Sequence, residues 1–172
     1  MKSALELWPA AKPLMLPYEG GASQIHIFDL PHQLLQQALD TFSEHVHEPK
    51  ISTLNGYTFE DSIGFSDENR SKLAIQDTPH HVIAGQWRGK FDMSLWLIMD
   101  KQSNKFDAEL VFWADQLFPQ PKDEGACIDV FSSLILFVEG LRSINPEGEC
   151  ALTMSEVADP RDERDEWHTL FW

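Results

Sequence analysis

Cations, cysteines and long apolar runs are all scarce in this chain, and each scarcity narrows what it can be. Lys and Arg number 13 against 28 Asp and Glu, a formal net charge of −15. Such a chain repels phosphate backbones and anionic lipid at neutral pH, so nucleic acid and membrane surfaces are not expected as partners. Only Cys127 and Cys150 are present, too few for a disulfide framework, and they read as reduced, buried thiols. The strongest apolar run, Leu134-Ile135-Leu136-Phe137-Val138, stops at Glu139 and is far too short to span a bilayer. Near the N-terminus Glu6, Pro9, Pro13 and Pro17 interrupt the apolar residues. That leaves no signal-peptide core and makes a cytoplasmic location the expectation.

Catalytic signatures are scarce as well. No G-x-S-x-G, phosphate-cradling glycine loop, H-E-x-x-H or dinucleotide fingerprint occurs. His45 and His47 stand two apart, which on a helix points them to different sides, and adjacent His80 and His81 in a strand point to opposite faces. Neither pair reads as a metal site. Neither cysteine sits in a nucleophile motif, although Cys127 opens a helix whose dipole would favour a thiolate. The acid pairs Glu60-Asp61 and Asp67-Glu68 have no apolar surround to raise a pKa and are assigned to solvent. No cofactor or metal is expected.

What is present is a core. The chain has 172 residues, 42% of them apolar, and can bury roughly two-thirds of its unfolded surface without disulfides or metals. The reading is a single acidic α+β domain with no internal repeat or linker. Residues 1–21 are Pro-rich and end at Gly20-Gly21, which predicts an extended arm. A strand is expected at Gln24 to Phe28. Asp29-Leu30-Pro31 then announces a helix over about 31–47, with Leu34, Leu35, Ala38, Leu39, Phe42 and Val46 at helical spacing. Tyr57 to Phe65 suggests a strand and Ser66 to Asn69 a polar loop. A second helix, about 126–144, carries apolar residues over much of its circumference and stops at Asn145-Pro146-Glu147-Gly148. A strand at Cys150 to Met154 follows.

The centre of the fold is an antiparallel meander at 81–114, packed against the helix at 126–144. With Lys101 to Asn104 as a four-residue loop, Met99 faces Phe106, Leu97 faces Ala108, Leu95 faces Leu110 and Met93 faces Phe112, all of them apolar pairs. A two-residue turn at Gly89-Lys90 would add Ala84 beside Leu95 and Val82 beside Leu97. The same registers put Trp87, Asp92 and Trp113 in one row of the opposite face, Gly85, Ser94 and Val111 in the next, Ile83, Trp96 and Glu109 in a third, and His81, Ile98 and Asp107 in the last. A face mixing aromatics with acids is either a partly covered structural surface or a binding surface. On the binding reading, Trp87, Trp96 and Trp113 supply contact area while Asp92 and Glu109 select Arg or Lys.

The tail is the other unusual stretch. Over residues 159–172, Asp159, Asp162, Glu163, Asp165 and Glu166 precede Trp167 and Trp172, with Arg161 and Arg164 offsetting part of the charge. It is either a terminal segment tucked against the core or an acidic-aromatic docking element.

The leading functional expectation is therefore a non-catalytic binding protein, monomeric or homodimeric, that masks a basic protein partner. A bacterial immunity protein neutralising a cognate toxin is its most concrete form. A chaperone or adaptor for a secreted effector is the first alternative. The second is an enzyme with dispersed residues, of which Asp92, Glu109 and His81 are the candidates.

Overall fold

The computed structural model describes residues 3–15, 22–55, 58–59, 62–73, 80–100, 102–118, 123–146, 148–154 and 168–170. Nine strands among them form one sheet: β1 (Ala22–Pro31), β2 (Val46–Asn55), β3 (Thr58–Phe59), β4 (Ile63–Gly64), β5 (His80–Trp87), β6 (Phe91–Asp100), β7 (Lys105–Trp113), β8 (Cys150–Met154) and β9 (His168–Leu170). Their order is β3-β2-β5-β6-β7-β1-β8-β9, with β4 also paired to β2. All the pairings are antiparallel. The helices are α1 (Ala4–Met15), α2 (Leu35–His45), α3 (Asp67–Leu73), α4 (Ala114–Leu117) and α5 (Glu124–Arg142). The expected α+β class, an antiparallel sheet packed on helices, is the fold observed.

One face of the sheet and the helices α1, α2 and α5 share a core. From the sheet come Ile25, Ile27, Ile83, Leu95, Leu97, Leu110 and Phe112; from α5 come Phe131, Leu134, Phe137 and Val138; from α2 come Leu35, Leu39 and Phe42. α5 starts where Asp123 accepts a hydrogen bond from the Ala126 amide at 3.1 Å, an N-cap two residues earlier than expected. Phe42 of α2 meets Phe137 of α5 at 5.9 Å between ring centroids.

The N-terminal segment departs from the extended arm expected there. Residues 4–15 are helical despite Pro9 and Pro13. Each interior proline removes a hydrogen bond and costs about 3 kcal/mol. Three features offset that cost. Ser3 and Glu6 form a capping box, the Ser3 amide donating to the Glu6 carboxylate at 2.7 Å and the Glu6 amide to Ser3 Oγ at 3.3 Å. The prolines lie on the solvent side, where carbonyls left unpaired can take water. Leu7, Trp8, Ala11, Leu14 and Met15 form a buried stripe, and large side chains contribute roughly 1.5–3 kcal/mol each when fully buried. The Trp8 indole N–H and Lys12 both donate to Glu124, at 3.2 and 2.8 Å, pinning α1 to the start of α5.

Other boundaries also shift. β1 runs on to Pro31 through a bulge at Asp29, whose φ of 58° supplies the extra residue between the Ile27–Ala108 and Leu30–Phe106 pairs. A 3-10 turn, His32–Leu34, then leads into α2, which ends at His45 rather than 47. The stretch Ser66 to Asn69 is the start of α3, not a loop, because Ser66 Oγ accepts from the Asn69 amide at 3.2 Å. The strand expected from Tyr57 to Phe65 is represented by two short pieces, β3 and β4, while Tyr57, Glu60 and Asp61 lie outside the described residues.

In the meander, β6 and β7 pair as expected: Met93 with Phe112, Leu95 with Leu110, Leu97 with Ala108, Met99 with Phe106. β5 sits one residue away from its expected register. Ile83 faces Leu95 and His81 faces Leu97, because the turn is Arg88-Gly89-Lys90 with φ of 53° at Arg88 and 65° at Gly89. Both faces of β5 are apolar enough to permit either register. Facing Ile83 and Trp87 inward removes more apolar area from water than Val82 and Ala84 would, and the ring of Trp87 meets that of Phe91 at 6.2 Å.

Candidate functional site

The slip of β5 redraws the sheet face that points away from the helices. Trp87 leaves that face and is buried in the core. The row expected to hold it contains Gln86 beside Asp92, with Trp113 next along the same register. The second row is Ala84, Ser94 and Val111, and the third is Val82, Trp96, Glu109 and His26. Thus Asp92 and Trp113 are brought together, Trp96 and Glu109 stand on the same face two positions along, and Trp87 stands on the other side of the sheet. Asp162, Glu163, Asp165, Glu166 and Trp167 lie outside the described residues.

The middle row decides the shape. Ala84, Ser94 and Val111 are short, and they form the floor of a groove of about 380 Å³. Gln86, Asp92 and Trp113 line it on the side of the first row. At its β2 end stand His47, Glu48 and Lys50. These three come from a second bulge, between the His47–Gln86 and Lys50–Ala84 pairs, where Glu48 has φ of 49°. Gly85 makes the bulge possible. A Cβ there would stand 3.0 Å from the His47 carbonyl oxygen and 3.1 Å from Val46 Cβ, tighter than ordinary contact, so a larger residue would require β2 to give by a few tenths of an ångström.

Exposure is uneven across the face. Asp92 is exposed and Trp113 is 42% exposed at the groove rim. Trp96 is half-buried, its indole N–H donating to Ser94 Oγ at 3.1 Å. Beyond it the face closes: His26 is buried, 3.2 Å from a Glu109 carboxylate oxygen and stacked on Phe28 with ring centroids 5.6 Å apart. Glu109 is therefore engaged within the protein, whereas Asp92 faces solvent.

The same geometry separates the dispersed catalytic set. His81 is in the core, its pKa lowered by burial and by the neighbouring His80, while Asp92 and Glu109 point from the opposite face. No proton can pass between them directly through the sheet. Both cysteines are buried thiols outside any disulfide, and burial pushes their pKa values up, holding them protonated and poorly nucleophilic. His45 stacks on Phe137 at 4.4 Å, and its Nδ1 lies 2.8 Å from the Thr41 carbonyl, whereas His47 lies at the groove. Among the described residues no group of three or more His, Cys, Asp or Glu is placed to hold a metal ion. No described helix is long and apolar enough to cross a membrane.

Sequence reasoning overlooked Gln86, Glu48 and Lys50. One local signal for the last two existed, because Pro49 inside a strand marks an edge or a bulge.

No protein-family model matches the chain, and no curated protein sequence matches it. Its fold is similar to that of a chain in the crystal structure of the toxic C-terminal tip of CdiA from Pseudomonas aeruginosa in complex with an immune protein. The TM-score is 0.52 at 9% identity, with 90% of this chain and 94% of that chain covered, a likeness of fold over nearly the whole length of both.

Proposed function

We propose that this chain is an immunity protein, a non-catalytic inhibitor that binds a cognate toxin through the sheet face bearing Asp92, Trp96, Glu109 and Trp113. The observation that carries the reading is the full-length fold likeness to a chain of a toxin–immune protein complex. Such a complex has two roles to fill, and a net charge of −15 favours the inhibitor of a basic protein over a factor that must approach phosphate. The exposed pairing of an indole with a carboxylate at the groove supports this face as the contact, since aromatic anchors dominate binding energy and carboxylates select cations. Cytoplasmic action, shielding the producing cell, goes with this reading.

The test is co-expression with the toxin encoded beside this chain's own gene, followed by calorimetry on the purified pair. Neutralisation with a tight one-to-one complex is the expected result. Asp92→Lys should weaken that complex by about tenfold or more, through like-charge repulsion against a basic partner. Trp96→Ala should weaken it with the fold intact, seen as a retained cooperative unfolding transition. Normal binding by both variants would place the contact elsewhere, and failure of the wild-type chain to protect would end the immunity reading.

A further inference from the structure

We propose that the groove is the receptor for a single arginine side chain of the partner, stacked on Trp113 and ion-paired with Asp92. This rests on the docking-face reading above and specifies its occupant.

The groove is a trench running across the strands, with the short side chains Ala84, Ser94 and Val111 as its floor. A trench of about 380 Å³ takes an extended side chain and its flanking backbone, but not a folded element. Asp92 and Trp113 occupy facing positions on adjacent antiparallel strands, as the Met93–Phe112 pair next to them fixes. Side chains so placed have Cβ atoms about 4.5–5.5 Å apart, close enough for one group to meet the carboxylate and the indole together.

Among protein side chains, arginine meets both demands best. Its guanidinium is planar, weakly hydrated and permanently charged, so it lies flat on an indole while its fork donates two hydrogen bonds to a carboxylate. A lysine ammonium can satisfy the carboxylate but gives up the flat stacking, and an apolar side chain leaves Asp92 desolvated without a partner. The chain itself shows the guanidinium–indole arrangement elsewhere, Arg88 lying over Trp87 with its central carbon 4.9 Å from the ring centroid.

Charge also limits the number of occupants. The groove carries two carboxylates, Glu48 and Asp92, and one ammonium, Lys50. Lys50 and Glu48 come together from the β2 bulge, at the end away from Trp113, so a second cation there would meet Lys50.

The experiment uses the full-length protein and three capped tripeptides, acetyl-Gly-X-Gly-amide with X arginine, lysine or citrulline, followed through the tryptophan indole N–H signals in low salt. Trp113→Phe assigns the signal to watch. The arginine peptide should shift the Trp113 signal saturably. The lysine peptide should bind roughly fivefold more weakly, and citrulline, which keeps the shape but not the charge, should leave the signal in place. Asp92→Asn should abolish the preference for arginine over citrulline, and because Asp92 is exposed this change leaves the core untouched. Equal binding of citrulline and arginine, shifts confined to other tryptophans, or no binding by any peptide would each overturn the proposal. The two readings fail separately: a neutralised toxin with no arginine binding removes only this assignment, and arginine binding without toxin neutralisation removes only the immunity reading.

Discussion

His81 shows how a single side chain can be settled against its chemistry. It is fully buried on the core face of β5, opposite Leu97. Burial first, then the nearby His80, lowers its pKa below 6.5 in the folded protein. The unfolded chain therefore binds a proton that the folded chain refuses. Its contribution to stability is complete above about pH 6.5 and is lost as pH falls through that value, while the unfolded state alone is protonated. Urea unfolding at about pH 7.5 and about pH 5 should show the wild type losing stability on acidification, and His81→Leu should flatten that dependence. An equal slope in the variant would mean that other groups set it. The three sheet tryptophans diverge for similarly local reasons. Trp87 packs inward once the turn has three residues, Trp96 is half-covered, and Trp113 stands exposed because β7 ends there.

Elements that look improbable alone are held by their neighbours, and α1 is the clearest instance. Two prolines in 12 residues argue against a helix, yet the Ser3–Glu6 box starts it and Trp8 docks it between Phe118 and Phe131, at 5.9 and 5.3 Å. Trp8→Ala should cost about 3–5 kcal/mol in denaturant unfolding. A loss under about 1 kcal/mol would mean that α1 is not part of the core. The helical period of α5 and the facing pairs of β6 and β7 were readable as patterns in the chain, whereas the Ser3–Glu6 box was overlooked because the prolines pointed to an extended arm. The register of β5 was misplaced by one residue, since a two-residue turn at Gly89-Lys90 also gives apolar pairs, whereas the three-residue turn lets the larger Ile83 and Trp87 face the core. The β2 bulge had only Pro49 to announce it, because Glu48 is not the glycine that usually marks a left-handed residue.

For the molecule as a whole, the large negative charge and the one-sided distribution of helices set how it can meet a partner. The described helices pack on one face of the sheet, and the groove lies on the other. If the partner is a basic toxin, long-range attraction should act on association more than on dissociation. Stopped-flow measurement should find the association rate falling by roughly tenfold or more between about 20 and about 300 mM salt, as the Debye length shrinks below about 10 Å. The dissociation rate should change far less. A salt-independent association rate would leave the charge without a role in recognition and reduce it to an aid to solubility.

Composition was enough for the acidic character, and periodicity for the α+β class, the paired faces of β6 and β7 and the buried α5, because these depend on spacing between residues close in the chain. The site was only half visible at that level. Asp92 and Trp113 were placed in one row correctly, since the β6–β7 hairpin is local and its register is enforced by apolar pairs. The tertiary structure decided that Trp87 would be absent from that row and that Gln86, Glu48 and Lys50 would join the groove. Those outcomes turn on a one-residue slip and a bulge, each small in local energy and each settled by how much apolar surface the complete core could bury.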